Sequence, residues 1–350
     1  MRFLWRWARR LVLLLVVIGI GLAAPVLYVE TMCRGDGTPE PYEALIDADY
    51  HRPESRTLMT YPEWHIVHAY EDYAKTLKQG DPHDYGFLSG IAGFWTSLCA
   101  LSETASAHGG IDGGTKQMVY VIGTSFTAEL ALKAAYEETI GRVFVALRGP
   151  QRAQLDDLSA QQATKYAAFL QQVPWYKWPF SEDAQSLRDH PGDTLRDNER
   201  RAALGLEYAV KDAYAGVIEQ AVAQVGADEL TLRMIVTATT APDLVAYTDV
   251  RTIGSNNGQF EIETPRYRAL TKLLKRMALD GVDVLEMAGN DEILFTAISD
   301  RPSVDGAIFS AQRQGFGDYR HLIVVKVPHL MQRLREMEGT DLRLEHIHDY

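Results

Sequence analysis

The hydrophobic pattern changes character along the chain. Residues Leu11 to Val29, LVLLLVVIGIGLAAPVLYV, are apolar and uncharged. As a helix these 19 residues extend roughly 28 Å, close to the thickness of a bilayer's hydrocarbon core. Residues 30–59 show no sustained period and read as a tether. From Thr60 the period becomes helical: Thr60 and Glu63 fit a capping box, Pro62 suits a first turn, and Gln79-Gly80-Asp81-Pro82 stops the helix after Lys78. The charge-free stretch 86–101, GFLSGIAGFWTSLCAL, is short for a span and carries three glycines. It reads as a buried helix rather than a second membrane insertion. The Gly-rich segment 109–116 reads as a connector. Further helices follow over about 118–147, 159–172 and 194–225, the last capped by Thr194 and ended by Gly226.

Beyond residue 227 the pattern turns to short strands. LTLRMIVTA (230–238) is one, and Asn256-Asn257-Gly258 is a hairpin turn between 244–253 and 259–263. A helix over 265–280 follows, then DVLEMA and EILFTAI joined at Gly289-Asn290-Asp291. The strand HLIVVKV (321–327) and a helix from Pro328 to Glu338 complete the pattern. The expected fold class is α+β. Its parts are a basic segment at 1–10, a transmembrane anchor at 11–29, the tether, a helical domain at 60–226, and at 227–350 an antiparallel sheet with helices on one face, of ferredoxin-like tendency. No internal repeat is visible.

Charge sets the expected topology. Arg2, Arg6, Arg9 and Arg10 flank one end of the apolar run, and Glu30, Arg34, Asp36 and Glu40 the other. The positive flank belongs on the cytoplasmic side, which places the bulk of the chain outside, in the periplasm of a bacterial inner membrane. A cleavable signal peptide fits the same pattern, with Gly21 and Ala23 at the cleavage site. The continuation of the run through Val26, Leu27 and Val29 favours an uncleaved anchor. After residue 29 the chain holds 31 basic and 47 acidic residues, a net of −16. That excess excludes nucleic acid as a partner and disfavours anionic lipid. In an oxidising compartment Cys33 and Cys99 can pair; the alternative is two free thiols, with Cys99 a small buried hydrophobe.

Candidate chemistry is sparse. Glu63, His65, His68, Glu71 and Asp72 lie within three turns of the first helix. His65, His68, Glu71 and Asp72 have one-turn spacings suited to a metal, although no His-Glu-x-x-His or paired Glu-x-x-His element is present. The alternatives are a polar pocket without metal, or histidines and acids facing solvent. Glu129, among apolar neighbours, is either a general base with a raised pKa or the surface partner of Lys133. Segment 109–116, GGIDGGTK, has Thr115 before Lys116, the wrong order for a phosphate loop. The C-terminal His346-Ile-His348-Asp-Tyr350 reads as a tail able to bind metal only weakly. No motif identifies a cofactor. Trp175, Tyr176, Trp178 and Phe180 suit contact with the membrane or a membrane-protein partner, or else a packed aromatic corner.

The segments TYPEWHIVHAYEDYA (60–74) and VIGTSFTAELALKAAYEETIGRV (121–143), followed by PWYKWPF (174–180), resemble a group of uncharacterised bacterial membrane-anchored envelope proteins. The resemblance covers the N-terminal half. It implies a shared fold and an anchored location, and no activity. Two function classes follow. One is an anchored extracytoplasmic accessory or scaffold. The other is a ligand-binding protein or enzyme using a pocket around Glu63, His65, His68 and Glu129, with or without a metal.

Overall fold

The computed structural model describes residues 2–35, 37, 42–225, 230–238 and 242–350. A long helix, α1 (Arg2–Met32), leads into a helical layer: α2 (Ser55–Gln79), α3 (Phe87–Ala105), α4 (Gly113–Tyr136), α5 (Arg142–Arg148), α6 (Gln154–Leu170), α7 (Phe180–Asp189) and α8 (Leu195–Val225). The remainder holds β1 (Thr231–Thr237), α9 (Pro242–Val245), β2 (Arg251–Asn256), β3 (Gln259–Pro265), α10 (Tyr267–Leu279), β4 (Asp283–Met287), β5 (Glu292–Ser299), β6 (Ala307–Gln312), β7 (Tyr319–Lys326), α11 (Val327–Met337) and β8 (Arg343–His348). The fold is α+β, and α1 is long and apolar enough to cross a membrane.

Several helix boundaries differ from the sequence reading. α2 begins at Ser55, because Leu58, Met59 and Tyr61 bury themselves in the core and extend the helix upstream of the expected cap. The Thr60 hydroxyl instead donates to Thr57 O. The helix expected over 118–147 starts earlier, where Asp112 caps it by accepting from Thr115 N, and is interrupted by a π-turn at Glu137–Gly141. The π-turn brings the Glu137 carboxylate to Arg200 (2.8 Å), and Gly141 leaves the room that carboxylate occupies. Ser159 lies inside α6, whose first turn is closed by Asp156 accepting from Ala153 N. Thr194 caps α8 as expected; Gly226 lies outside the described residues. The charge-free stretch is the core helix α3, with Phe94, Leu98 and Leu101 fully buried.

The C-terminal strands form two antiparallel four-stranded sheets rather than one, ordered β2-β3-β1-β4 and β6-β7-β5-β8. The turn at Ala288-Gly289, both residues at positive φ, does not close a hairpin. The turn is closed by the Met287–Asn290 bridge at the end of β4, and β4 and β5 then enter different sheets. β5 is already flanked by β7 and β8, so it has no edge left for β4. The Asn257-Gly258 turn does join β2 to β3. The supposed C-terminal tail is β8, with His346 and His348 buried.

The two sheets are built alike. Apart from the four-residue α9 between β1 and β2, each runs strand, strand, strand, helix, strand, with the same spatial order. Each also carries two bulges at matching register. The extra residue is Leu285 on β4 and Glu345 on β8, and Ile253 on β2 and Ile308 on β6. The helices cross over, α10 packing on β8 and α11 on β4. The region is thus a structural duplication that the sequence did not display. One apolar core joins α10, α11 and the inner faces of both sheets. The sheets differ on their outer faces. That of β6-β7-β5-β8 lies against α2 and α3, through Leu294 and Leu322 with Leu58, Met59 and Phe87. That of β2-β3-β1-β4 meets the upstream segment, where Glu286 accepts from Tyr42 Oη (2.7 Å), Leu45 N (2.6 Å) and Ile46 N (3.1 Å). Arg233 stacks 3.3 Å over the Tyr50 ring. The described part of the expected tether is therefore a strap along the sheet, held by satisfied polar groups rather than by apolar periodicity.

Candidate functional site

Three regions gather the chemistry. The first is where α1 meets the domain. Val29 and Cys33, one turn apart, face inward and are 2 % and 3 % exposed. Cys33 forms a disulfide with Cys99 on α3. Between them Glu30 turns to α4, accepting from Lys116 Nζ (3.0 Å) and Tyr120 Oη (2.7 Å). Gly35 N donates to the Ser106 hydroxyl (3.1 Å). A cross-link between residues 66 apart is worth about 4 kcal/mol on a chain-entropy model. Residues 30–35 are therefore a fixed mount, not the start of a flexible tether. An open cleft of about 580 Å³ lies beside it, lined by Glu30 and by Gly113, Lys116, Gln117, Tyr120, Val121, Thr124 and Ser125 along one side of α4.

The second region is a buried polar centre between α2 and the outer face of the second sheet. His68 is 4 % exposed. Its Nδ1 lies 3.7 Å from Glu71 and its Nε2 3.7 Å from Glu345, both too long for hydrogen bonds. The bulge on β8 aims Glu345 at α2. There Arg320 of β7 grips it with two bonds of 2.6 and 2.8 Å. Arg313 and Arg320 approach Glu71 at 3.5 and 3.9 Å. Burial and the Arg320 charge lower the His68 pKa, keeping the ring neutral. Burial pushes Asp72 up to about 7, although Arg320 and the Gln314 amide that it accepts from (2.9 Å) oppose this. Trp64 stacks on His346 with ring centroids 3.7 Å apart.

The metal candidates come only partly together. His68, Glu71 and Glu345 offer donor atoms within 4.8 Å of one another. His65 instead points to α3, its Nε2 3.0 Å from Gly90 O and its ring between Phe94 and Phe126. Burial lowers its pKa to about 3. The two carboxylates sit at opposite nitrogens of His68, and Glu345 commits both oxygens to Arg320. Two guanidiniums within 4 Å of the carboxylates oppose a divalent cation there. The geometry is that of a buried ion network. Glu63 is exposed on α2.

Glu129 belongs to a third cluster. It meets Lys211 (2.8 Å) and Lys133 (3.6 Å), accepts from Tyr70 Oη (2.5 Å), and shares both lysines with Glu207 at 2.9 and 3.0 Å. Burial would raise its pKa, but the lysines outweigh this and lower it, the reverse of a general base. The expected Glu129–Lys133 pair is present, but as one side of a four-charge square tying α4 to α8. Trp175, Tyr176 and Trp178 are half-buried, and Phe180 is buried, in a corner with Tyr166, Tyr208 and Tyr214.

Sequence reasoning missed Arg313, Arg320 and Glu345. Arg320 stands one residue before the expected strand, and Glu345 occupies a bulge, which has no periodic signature. The chain matches no family model, no curated protein and no solved structure.

Replacing Glu345 with Gln leaves buried Arg320 with only the more distant Glu71, at 3.9 Å, as an ion-pair partner. We expect a loss of roughly 3 kcal/mol in denaturant unfolding, with partial recovery in the Arg320→Met/Glu345→Leu double variant. Zinc should leave the wild-type melting temperature unchanged; a rise abolished by His68→Ala would restore the metal reading.

His108 bridges Glu292 (3.0 Å) and Glu54 (3.4 Å), and hydrogen bonds to these two carboxylates raise its pKa to about 9. Its folded pKa lies above the unfolded value, so its stabilisation is full below pH about 6.5 and is lost as pH rises through 9. In unfolding titrations His108→Gln should cost more stability at pH 6 than at pH 9.5. An equal cost at both would show that the imidazolium is not what bridges the two carboxylates.

Proposed function

We propose that the protein is a single-pass membrane-anchored accessory or scaffold of the bacterial inner membrane, with a cytoplasmic N-terminus and a periplasmic domain held rigidly at the bilayer to engage a membrane-protein partner. The observation that carries this is the fixed mount at the end of α1, where core burial, an ion pair and a disulfide act on consecutive turns. A mobile tether would suffice to confine a domain to a membrane; a fixed mount also sets its height and orientation. The disulfide fits an oxidising compartment.

A second feature supports partner binding. Leu206, Val210, Tyr214 and Val217 form a stripe on α8 at helical spacing, each 43 to 68 % exposed. Tyr214 packs against Trp175, with centroids 5.4 Å apart, so the stripe continues into the half-exposed aromatic corner. Exposed apolar area of this kind marks an interaction surface. A pocket spanning Glu63, His65, His68 and Glu129 finds no such support, since these side chains enter separate environments: Glu63 is exposed, His65 meets Gly90 O, His68 lies in the Arg320–Glu345 network and Glu129 pairs with Lys133 and Lys211.

Mild-detergent purification of the full-length protein at native expression should retain one membrane protein at near-equal amount, lost in the Leu206→Asp/Val210→Asp variant. A chain that purifies alone, with and without crosslinker, would contradict the scaffold reading.

A further inference from the structure

α4 is apolar on both sides, which is unusual for a helix at the surface. Its inner side buries Val119, Phe126 and Leu130. Its outer side presents Met118 (47 % exposed), Val121 (55 %) and Leu132 (73 %), with Ser125 between them. From Met118 to Leu132 the sole charge is Glu129, and that is turned inward to Lys133 and Lys211. Such a face lacks the charged side chains that normally meet water.

Its position names the cover. On α1, Trp5 and Trp7 are exposed at one end and Tyr28 at the other. Trp7 and Tyr28 lie roughly 32 Å apart along a helix, matching the two aromatic belts of a bilayer. Glu30, two residues past Tyr28, holds Lys116 and Tyr120, so the start of α4 stands at headgroup level. Leu27 (62 % exposed) lies close to Glu30 around the helix, so exposed apolar surface of α1 borders the side that meets α4. The cleft opens along this boundary. The Glu30 carboxylate and Lys116 ammonium at its edge are each about one-third exposed, at 36 and 37 %.

We propose that this cleft binds a membrane phospholipid with a zwitterionic, amine-bearing headgroup. The lipid ammonium faces Glu30 and the phosphate faces Lys116. The glycerol end meets Gln117 and Thr124, and an acyl chain lies along Val121 and Ser125. A paired acid and base suit a headgroup carrying both charges. The net −16 of the chain beyond the anchor disfavours a purely anionic one. The inference rests on α1 spanning the bilayer.

The test is native mass spectrometry of the full-length protein released from nanodiscs of mixed phosphatidylethanolamine and phosphatidylglycerol. Wild type should retain one phosphatidylethanolamine, favoured about tenfold over phosphatidylglycerol, a factor equal to 1.4 kcal/mol. Val121→Lys/Ser125→Lys should lose it. Leu206→Lys, on the α8 stripe, should keep it, with the disulfide intact in both. Retention without headgroup preference, retention unchanged in the α4 variant, or a dimer or protein partner blocked by that variant would each overturn the lipid assignment. Failure to enter nanodiscs would overturn the anchoring reading, and this inference with it.

Discussion

How α1 joins the rest of the molecule is decided in one helical turn at the end of the apolar run. Val29 and Cys33 enter the core, Glu30 pairs with Lys116 and Tyr120, and Cys33 is bonded to Cys99. Each interaction alone is ordinary. Together they act on different sides of α1: the buried face and the disulfide fix it to α3, and the ion pair fixes it to α4. Rotation of the helix against the domain would break at least one of them. The end of α1 and the domain are therefore joined as one body.

That body is internally braced by charge as much as by apolar packing. The Glu129–Lys133–Glu207–Lys211 square and the chain from Asp81 through Arg148, Asp156, Arg196, Glu199 and Arg200 to Glu137 stitch the helices together. The His68 centre stitches the helical layer to the second sheet. Each charge has a nearby opposite, so the desolvation cost is offset locally. Such networks are poor sources of net stability, but they penalise alternative packings, in which one member would be left alone.

The duplicated sheets show how one topology serves two ends. At the position where the first sheet has Leu285 as its bulge residue, the second has Glu345. The first sheet's outer face is covered by a strap through Glu286, the second's by α2 through Arg320 and Glu345. Much of this was legible in the sequence: α1 from its length and flanks, the helical layer, the β2–β3 turn from Asn-Gly, and the pairing of the two cysteines as one of two alternatives. The division into two sheets was not, because a turn signal at Gly289 states that the chain reverses and not whether the reversed strands stay paired. β8 was hidden because its core-facing Leu344 and Ile347 are interrupted by the bulge at Glu345, and its outer face is polar, His346 and His348 meeting Trp64 and Tyr61 of α2. The candidate site was half visible for the same reason. His68 and Glu71 share one helix and showed by spacing, whereas Arg313, Arg320 and Glu345 arrive from a distant segment and joined only on folding.

The most direct test of the rigid mount is a distance distribution between spin-labelled unnatural residues at Leu27 on α1 and Leu132 on α4, measured by pulsed electron resonance in nanodiscs. A single narrow distribution that broadens when Cys33 and Glu30 are replaced together is the expected result. A broad distribution in the unmodified protein would contradict it, showing the domain to swing freely from its anchor.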